Sequence, residues 1–109
     1  MIRLKLIMKY NLTKPEAECL VNARQRSIKD LQRGIQFDLD ELAKIEAELL
    51  DPKRNKAQDK NRRGWKKLGK EAIQVKKRQI AFARETLQEW ASDPEISDTL
   101  AIAATAALL

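Results

Sequence analysis

The stretch TKPEAECLVNARQRSIKDLQRGIQFDLDELAKIEAELLDP, residues 13–52, decides the fold class of this chain. Aliphatic residues recur in it at every seventh position, namely Val21, Ile28, Ile35, Leu42 and Leu49. A seven-residue repeat of this kind is typical of an α-helix that packs along another helix. Arg24 and Asp38 occupy other seam positions, so the seam is interrupted. The pattern predicts a long amphipathic helix.

Both ends of this helix carry sequence signals. Thr13 and Glu16 have the spacing of a capping box, and Pro15 lies in the first turn, where its missing N–H costs nothing. Pro52 disfavours helical conformation in the residue before it. These signals place helix one over residues 14–50.

A break within helix one is the alternative. Gly34 resembles a helix C-terminus, and Asp38 with Glu41 resembles a new capping box, so the helix could divide near 34–38. We expect an unbroken helix because the seven-residue seam includes Ile35. A glycine inside a helix costs about 1 kcal/mol, which helix packing can offset.

The rest of the chain also favours helices. A polar, basic loop is expected over 51–61 and a second helix over 62–91. Its broad apolar face includes Trp65, Leu68, Ala72, Ile73, Ile80, Ala83, Leu87 and Trp90. Ser92 and Glu95 repeat the capping spacing, which predicts a hydrophobic C-terminal helix over 93–109.

The predicted fold is therefore all-α. It consists of a long antiparallel helical hairpin plus the C-terminal helix, in a three-helix arrangement. A length of 109 residues indicates a single domain, 1–109.

The N-terminal segment 1–12 is expected to be a short extended arm. Apolar and charged residues alternate along most of it, and Met8 is a second candidate start. An alternating strand followed by a capped helix resembles the entry of the ribbon-helix-helix DNA-binding family. The resemblance covers residues 6–50 and requires the break near Gly34. It implies strand pairing between two chains, with Lys9, Asn11 and Thr13 facing the DNA major groove.

Charge is concentrated in the segment 53–78. It holds twelve Lys or Arg and two acids, a net +10, whereas the whole chain has a net charge of +6. Such a segment is the electrostatic footprint expected for nucleic acid or another polyanion. The candidate binding residues are Lys53, Arg54, Lys56, Lys60, Arg62, Arg63, Lys66, Lys67, Lys70, Lys76, Lys77 and Arg78.

These cations also have an intramolecular use. Residues 38–51 hold six acids and one lysine, and an antiparallel hairpin would bring them beside the start of helix two. Many of the twelve cations could then pair across the hairpin. Trp65 could stack on an exposed base, but its position beside Leu68 favours packing in the core.

Catalytic chemistry finds little support in the sequence. The chain has no His, its three glycines are scattered, and Cys19 is the only cysteine. We expect Cys19 to be a small buried residue, and we expect no enzyme activity, metal or cofactor. A single cysteine also suggests a reducing, cytoplasmic compartment. We expect no membrane partner or small-molecule substrate.

Two classes of function remain. The first is a small accessory or regulatory protein that contacts nucleic acid through 53–78. The alternative is a helical adaptor or inhibitor that binds a larger protein, including one that processes nucleic acid, or an oligomeric structural subunit. The candidate protein contacts are the apolar residues Leu100, Ile102, Leu108 and Leu109.

Overall fold

The computed structural model describes residues 11–93, 95 and 97–109. These residues form three α-helices: α1 (Lys14–Leu50), α2 (Asp59–Ser92) and α3 (Asp98–Leu108). A single turn of 3₁₀ helix, Lys56–Gln58, precedes α2. Over the described ranges there is no strand, so the all-α prediction is confirmed. The expected extended arm lies outside the described residues, apart from its last two positions.

Helix α1 is continuous, as expected. No glycine or other residue among those described has a positive φ, so Gly34 does not end a helix. The ribbon-helix-helix resemblance required that break, and the continuous helix therefore contradicts it. The predicted capping box is present: the Thr13 N–H donates to Glu16 Oε1 at 3.0 Å, and the Glu16 N–H donates to Thr13 Oγ1 at 3.3 Å.

Two helix boundaries differ from the prediction. Helix α2 begins at Asp59, three residues early, because a 3₁₀ turn capped by Asn55 leads directly into it. Helix α3 begins at Asp98, because Ser97 accepts the Leu100 N–H at 3.3 Å and caps it. Ser92, the predicted cap, instead lies in the last turn of α2, where its hydroxyl donates to the Gln88 carbonyl.

The chain divides into two compact units, which we describe separately. The first unit comprises residues 1–29 and 81–109. Its core is formed by all three helices and consists of Ala17, Val21, Leu87, Leu100 and Ala104. Leu12 packs against this core, and its carbonyl accepts the Thr99 hydroxyl at 2.7 Å.

The second unit comprises residues 30–80 and contains one segment of α1 and one of α2. The order of their contacts shows that the segments are antiparallel: Asp38 pairs with Lys76, whereas Glu48 pairs with Arg62. The buried apolar residues of this unit are Leu42, Ile73 and Ile80. The loop 51–58 joins the two segments.

Candidate nucleic-acid interface

The loop that joins α1 to α2 is held by an arginine–aspartate cluster. Arg54 donates to both carboxylate oxygens of Asp59, with Nε–Oδ1 at 3.0 Å and Nη2–Oδ2 at 3.1 Å. Arg62 Nη1 donates to Asp59 Oδ1 at 3.1 Å and to the Asn55 carbonyl at 2.9 Å. The hydrogen bond from Arg54 is the main cause that lowers the pKa of Asp59. Two of the twelve candidate cations are therefore part of the loop structure.

Ion pairs also cross between the helices of the second unit. Arg62 Nε lies 3.1 Å from Glu48 Oε2, and Lys66 Nζ lies 3.5 Å from Glu46 Oε1. A third pair joins Lys76 to Asp38, and both side chains are largely covered. These pairs confirm that the acidic end of α1 complements the basic start of α2. They engage Arg62, Lys66 and Lys76 within the molecule.

Eight candidate cations remain uncommitted. Arg54, Arg62, Lys66 and Lys76 are partly buried, whereas the other eight are exposed. Within the part of the chain that the structure describes, the eight form no ion pair. They are Lys53, Lys56, Lys60, Arg63, Lys67, Lys70, Lys77 and Arg78. The acidic patch therefore neutralises only part of the basic segment.

Five of the eight lie along one side of α2. They are three, four or seven residues apart, and we call them the cationic stripe: Lys60, Arg63, Lys67, Lys70 and Lys77. The amide of Gln74 occupies the helical position between the last two. With a rise of 1.5 Å per residue, the stripe extends for about 26 Å. Its members spread over about 100° around the helix and present hydrogen-bond donors to solvent.

The stripe is distinct from the packing face of α2. The residues of this helix that contact α1 or are buried include Arg62, Lys66, Gly69, Ile73 and Lys76. At 100° per residue, the centre of the stripe is about 110° around the helix from the centre of that face. An extended ligand could therefore contact the stripe without separating the helices.

Trp65 does not pack in the core. Its side chain is 52% exposed, and Leu68 is 63% exposed, so the expectation that both contribute to core packing is wrong. Trp65 is two residues from both Arg63 and Lys67, which places it about 160° around the helix from each. The aromatic ring and the cationic stripe therefore lie on nearly opposite sides of α2.

A second exposed row accompanies Trp65. Leu68 and Val75, which is 47% exposed, follow at helical spacing, with the partly covered Ala72 between them. We call Trp65, Leu68, Ala72 and Val75 the apolar row. The sequence pattern predicted one broad apolar face for this helix, whereas the structure separates its apolar residues into two groups. The sequence signal that separates the two groups is their position in the heptad. Trp65, Leu68, Ala72 and Val75 share one side of the helix, and Ile73 and Ile80 share another.

The candidate protein contacts lie in the first unit and have different environments. Leu100 is buried in the core, which removes it from the surface, whereas Ile102, Leu108 and Leu109 are exposed. Cys19 is also exposed, so the expectation of a buried cysteine is wrong. Its position on α1 faces away from the Ala17–Val21 side, which forms the core.

Neither a metal site nor a membrane span is found in the described ranges. They hold no group of three or more His, Cys, Asp or Glu side chains placed to bind a metal ion. None of the described helices combines the length and the apolar character that crossing a membrane requires. Comparison of the chain with protein-family models, curated proteins and solved structures found no match.

Proposed function

We propose that the chain is a small, non-catalytic accessory or regulatory protein that contacts nucleic acid through its basic segment. The observation that supports this proposal is the set of eight exposed cations without an intramolecular ion pair, five of which form the cationic stripe. We extend the proposal to a cytoplasmic location, because Cys19 is the only cysteine in the sequence.

The physical basis is neutralisation of phosphate charge. Lysine and arginine side chains that contact phosphates release condensed counterions, and this release supplies most of the affinity of sequence-independent binding. Exposed cations can make such contacts without first breaking an internal bond. Arg54, Arg62, Lys66 and Lys76 would have to give up partners that hold the second unit together. The other eight cations are therefore the ones available to bind the ligand.

A binding measurement with a matched control tests the proposal. Fluorescence anisotropy with a labelled oligonucleotide, at roughly 50–200 mM salt, would give the affinity and its salt dependence. Over that range, counterion release lowers the affinity of a protein with many phosphate contacts by about 10³ or more. In the double variant Lys67→Glu/Lys70→Glu, we expect affinity to fall at least about tenfold and the salt slope to decrease by about 2.

The control keeps the same net charge. Arg26→Glu/Lys29→Glu reverses two exposed cations on α1, outside the basic segment. We expect its affinity to stay within about threefold of the parent, because neither side chain belongs to the proposed contact set and exposed charges are screened by salt. Equal losses in both double variants would show a response to net charge alone and would contradict the proposed site. No binding at low salt would contradict nucleic-acid contact altogether.

The apolar row supports a second candidate function, that of an adaptor, inhibitor or structural subunit that binds protein. Trp65, Leu68 and Val75 are each about half exposed on one side of α2. Exposed apolar rows of this kind are common at protein interfaces. Light scattering over a range of concentrations tests self-association, and Leu68→Lys should abolish any association through this row. A concentration-independent monomer would exclude the structural-subunit version.

A further inference from the structure

The cationic stripe carries information about the form of nucleic acid that fits it. We infer that the ligand is a double helix, held through its phosphates and without stacking on base faces. This inference rests on the proposed nucleic-acid function and specifies its substrate class. It follows from what the stripe contains, from its shape and from the position of Trp65.

The five side chains of the stripe are all cationic, and the amide of Gln74 lies beside them. Proteins that bind single strands combine a basic groove with aromatic side chains, on which successive bases stack. Between Asp59 and Ile80 the sequence has one aromatic residue, Trp65. Because Trp65 lies about 140–160° around α2 from Lys60, Arg63, Lys67 and Lys70, a strand on the stripe cannot reach its ring. The stripe therefore lacks the stacking contribution that favours single strands.

The remaining contribution to affinity is phosphate neutralisation, and it favours a duplex. Duplex DNA carries about one charge per 1.7 Å of its axis, so counterion release per contact is larger than for a single strand. With five contacts, the slope of log affinity against log salt is about −4.5 for a duplex and about −3.5 for a single strand.

The shape of the stripe agrees with a duplex. Its five cations lie along an uninterrupted helix over about 26 Å. Duplex DNA is straight over that distance, since its persistence length is about 50 nm. Cations spaced along one uninterrupted helix can therefore contact phosphates of the duplex without bending it. Four of its five cations are lysines, which bind phosphate as point charges, so sequence preference should be weak.

The test compares four probes against the full chain: a 30-bp DNA duplex of about 10 nm, which is longer than the stripe, a duplex of scrambled sequence, and the two separated strands of the first duplex. We expect the two duplexes to bind within about twofold of each other and roughly tenfold tighter than either strand. Trp65→Ala, at a half-exposed site, should leave duplex affinity unchanged, with folding checked by circular dichroism.

The outcomes separate the inference from the function on which it rests. Equal or tighter binding of single strands, or weaker duplex binding by Trp65→Ala, would overturn the duplex inference and leave nucleic-acid contact intact. Strong discrimination between the two duplex sequences would overturn binding through phosphates alone. Failure of all probes to bind at low salt would overturn the proposed function itself.

Discussion

The side chain of Leu42 lies against the backbone of α2 at Gly69. A β-carbon built on Gly69 would be 3.0 Å from Leu42 Cδ2 and 3.3 Å from Cγ, which is tighter than ordinary van der Waals contact. Leu42 is buried, so its side chain has little room to withdraw. The absence of a side chain at Gly69 therefore lets the two helical segments of the second unit approach closely.

This contact predicts opposite effects for two glycine substitutions. Gly64→Ala should raise the free energy of unfolding by up to about 1 kcal/mol, because its β-carbon meets no atom within 4 Å and alanine favours the helix. Gly69→Ala gains the same propensity but must displace Leu42, and overpacking typically costs about 1–3 kcal/mol. We expect Gly69→Ala to be the less stable variant by at least about 1 kcal/mol. Urea unfolding of both variants would measure this, and equal stabilities would contradict it.

A second prediction concerns the pair between Lys76 and Asp38. The Lys76 side chain passes over Gly34, since a β-carbon there would lie 3.3 Å from Lys76 Nζ. Lys76→Met should destabilise the protein by leaving the largely covered Asp38 carboxylate without its partner. The double variant Lys76→Met/Asp38→Leu should recover part of the loss. A double-mutant cycle should give a coupling energy of roughly 1 kcal/mol, and additive effects would show no coupling.

The loop cluster predicts a dependence of stability on pH. Hydrogen bonding by Arg54 lowers the pKa of Asp59 below its ordinary value of 3.8. The ionised carboxylate therefore stabilises the folded state above that value, and this stabilisation is lost as the pH falls through the lower, folded-state pKa. Asp59→Asn should be less stable than the parent at pH 7, and the difference should shrink below about pH 4.

Chemical unfolding between pH 3 and pH 7 measures this difference, over a range chosen to bracket ordinary carboxyl values of about 4. Asp30→Asn is the control, because its exposed pair with Arg33 lies on the surface of one helix and should contribute little. A stability difference between Asp59→Asn and the parent that stayed constant down to pH 3 would contradict the assigned role of Asp59.

A fourth prediction distinguishes two serines. Ser97 is 1% exposed and caps α3, so Ser97→Ala should lower the free energy of unfolding by about 1 kcal/mol. Ser92 is exposed and bonds back to Gln88 within α2, so Ser92→Ala should change stability by less than about 0.5 kcal/mol. Thermal unfolding followed by circular dichroism compares the two. A larger loss of stability in Ser92→Ala than in Ser97→Ala would indicate that Ser92 caps α3.

Local sequence signals predicted much of the fold. The seam from Val21 to Leu49 predicted a continuous α1, and Thr13 and Pro52 marked its ends. Ser92 was predicted as the cap of the C-terminal helix because it has the capping spacing, with Glu95 three residues later. The cap at Ser97 depends on burial against the first unit's core, which spacing alone does not show.

The candidate site was predictable as a segment but not as a surface. Counting charges located residues 53–78, and the acidic patch at 38–51 predicted that some cations would pair within the molecule. Which cations pair depends on the rotation of α2 about its axis. That rotation is fixed by the packing of Ile73, Ile80 and Gly69, and it directs Lys66 and Lys76 inwards while Lys67 and Lys77 face solvent.

The sequence by itself determined that this chain is helical and that its positive charge lies in one segment, because helical periodicity and charge are local properties. Only the tertiary structure decided which four of the twelve cations are engaged, and that Trp65 is exposed and not packed in the core. The physical reason is that an α-helix turns 100° per residue, so adjacent residues face different surroundings once one face is fixed by packing.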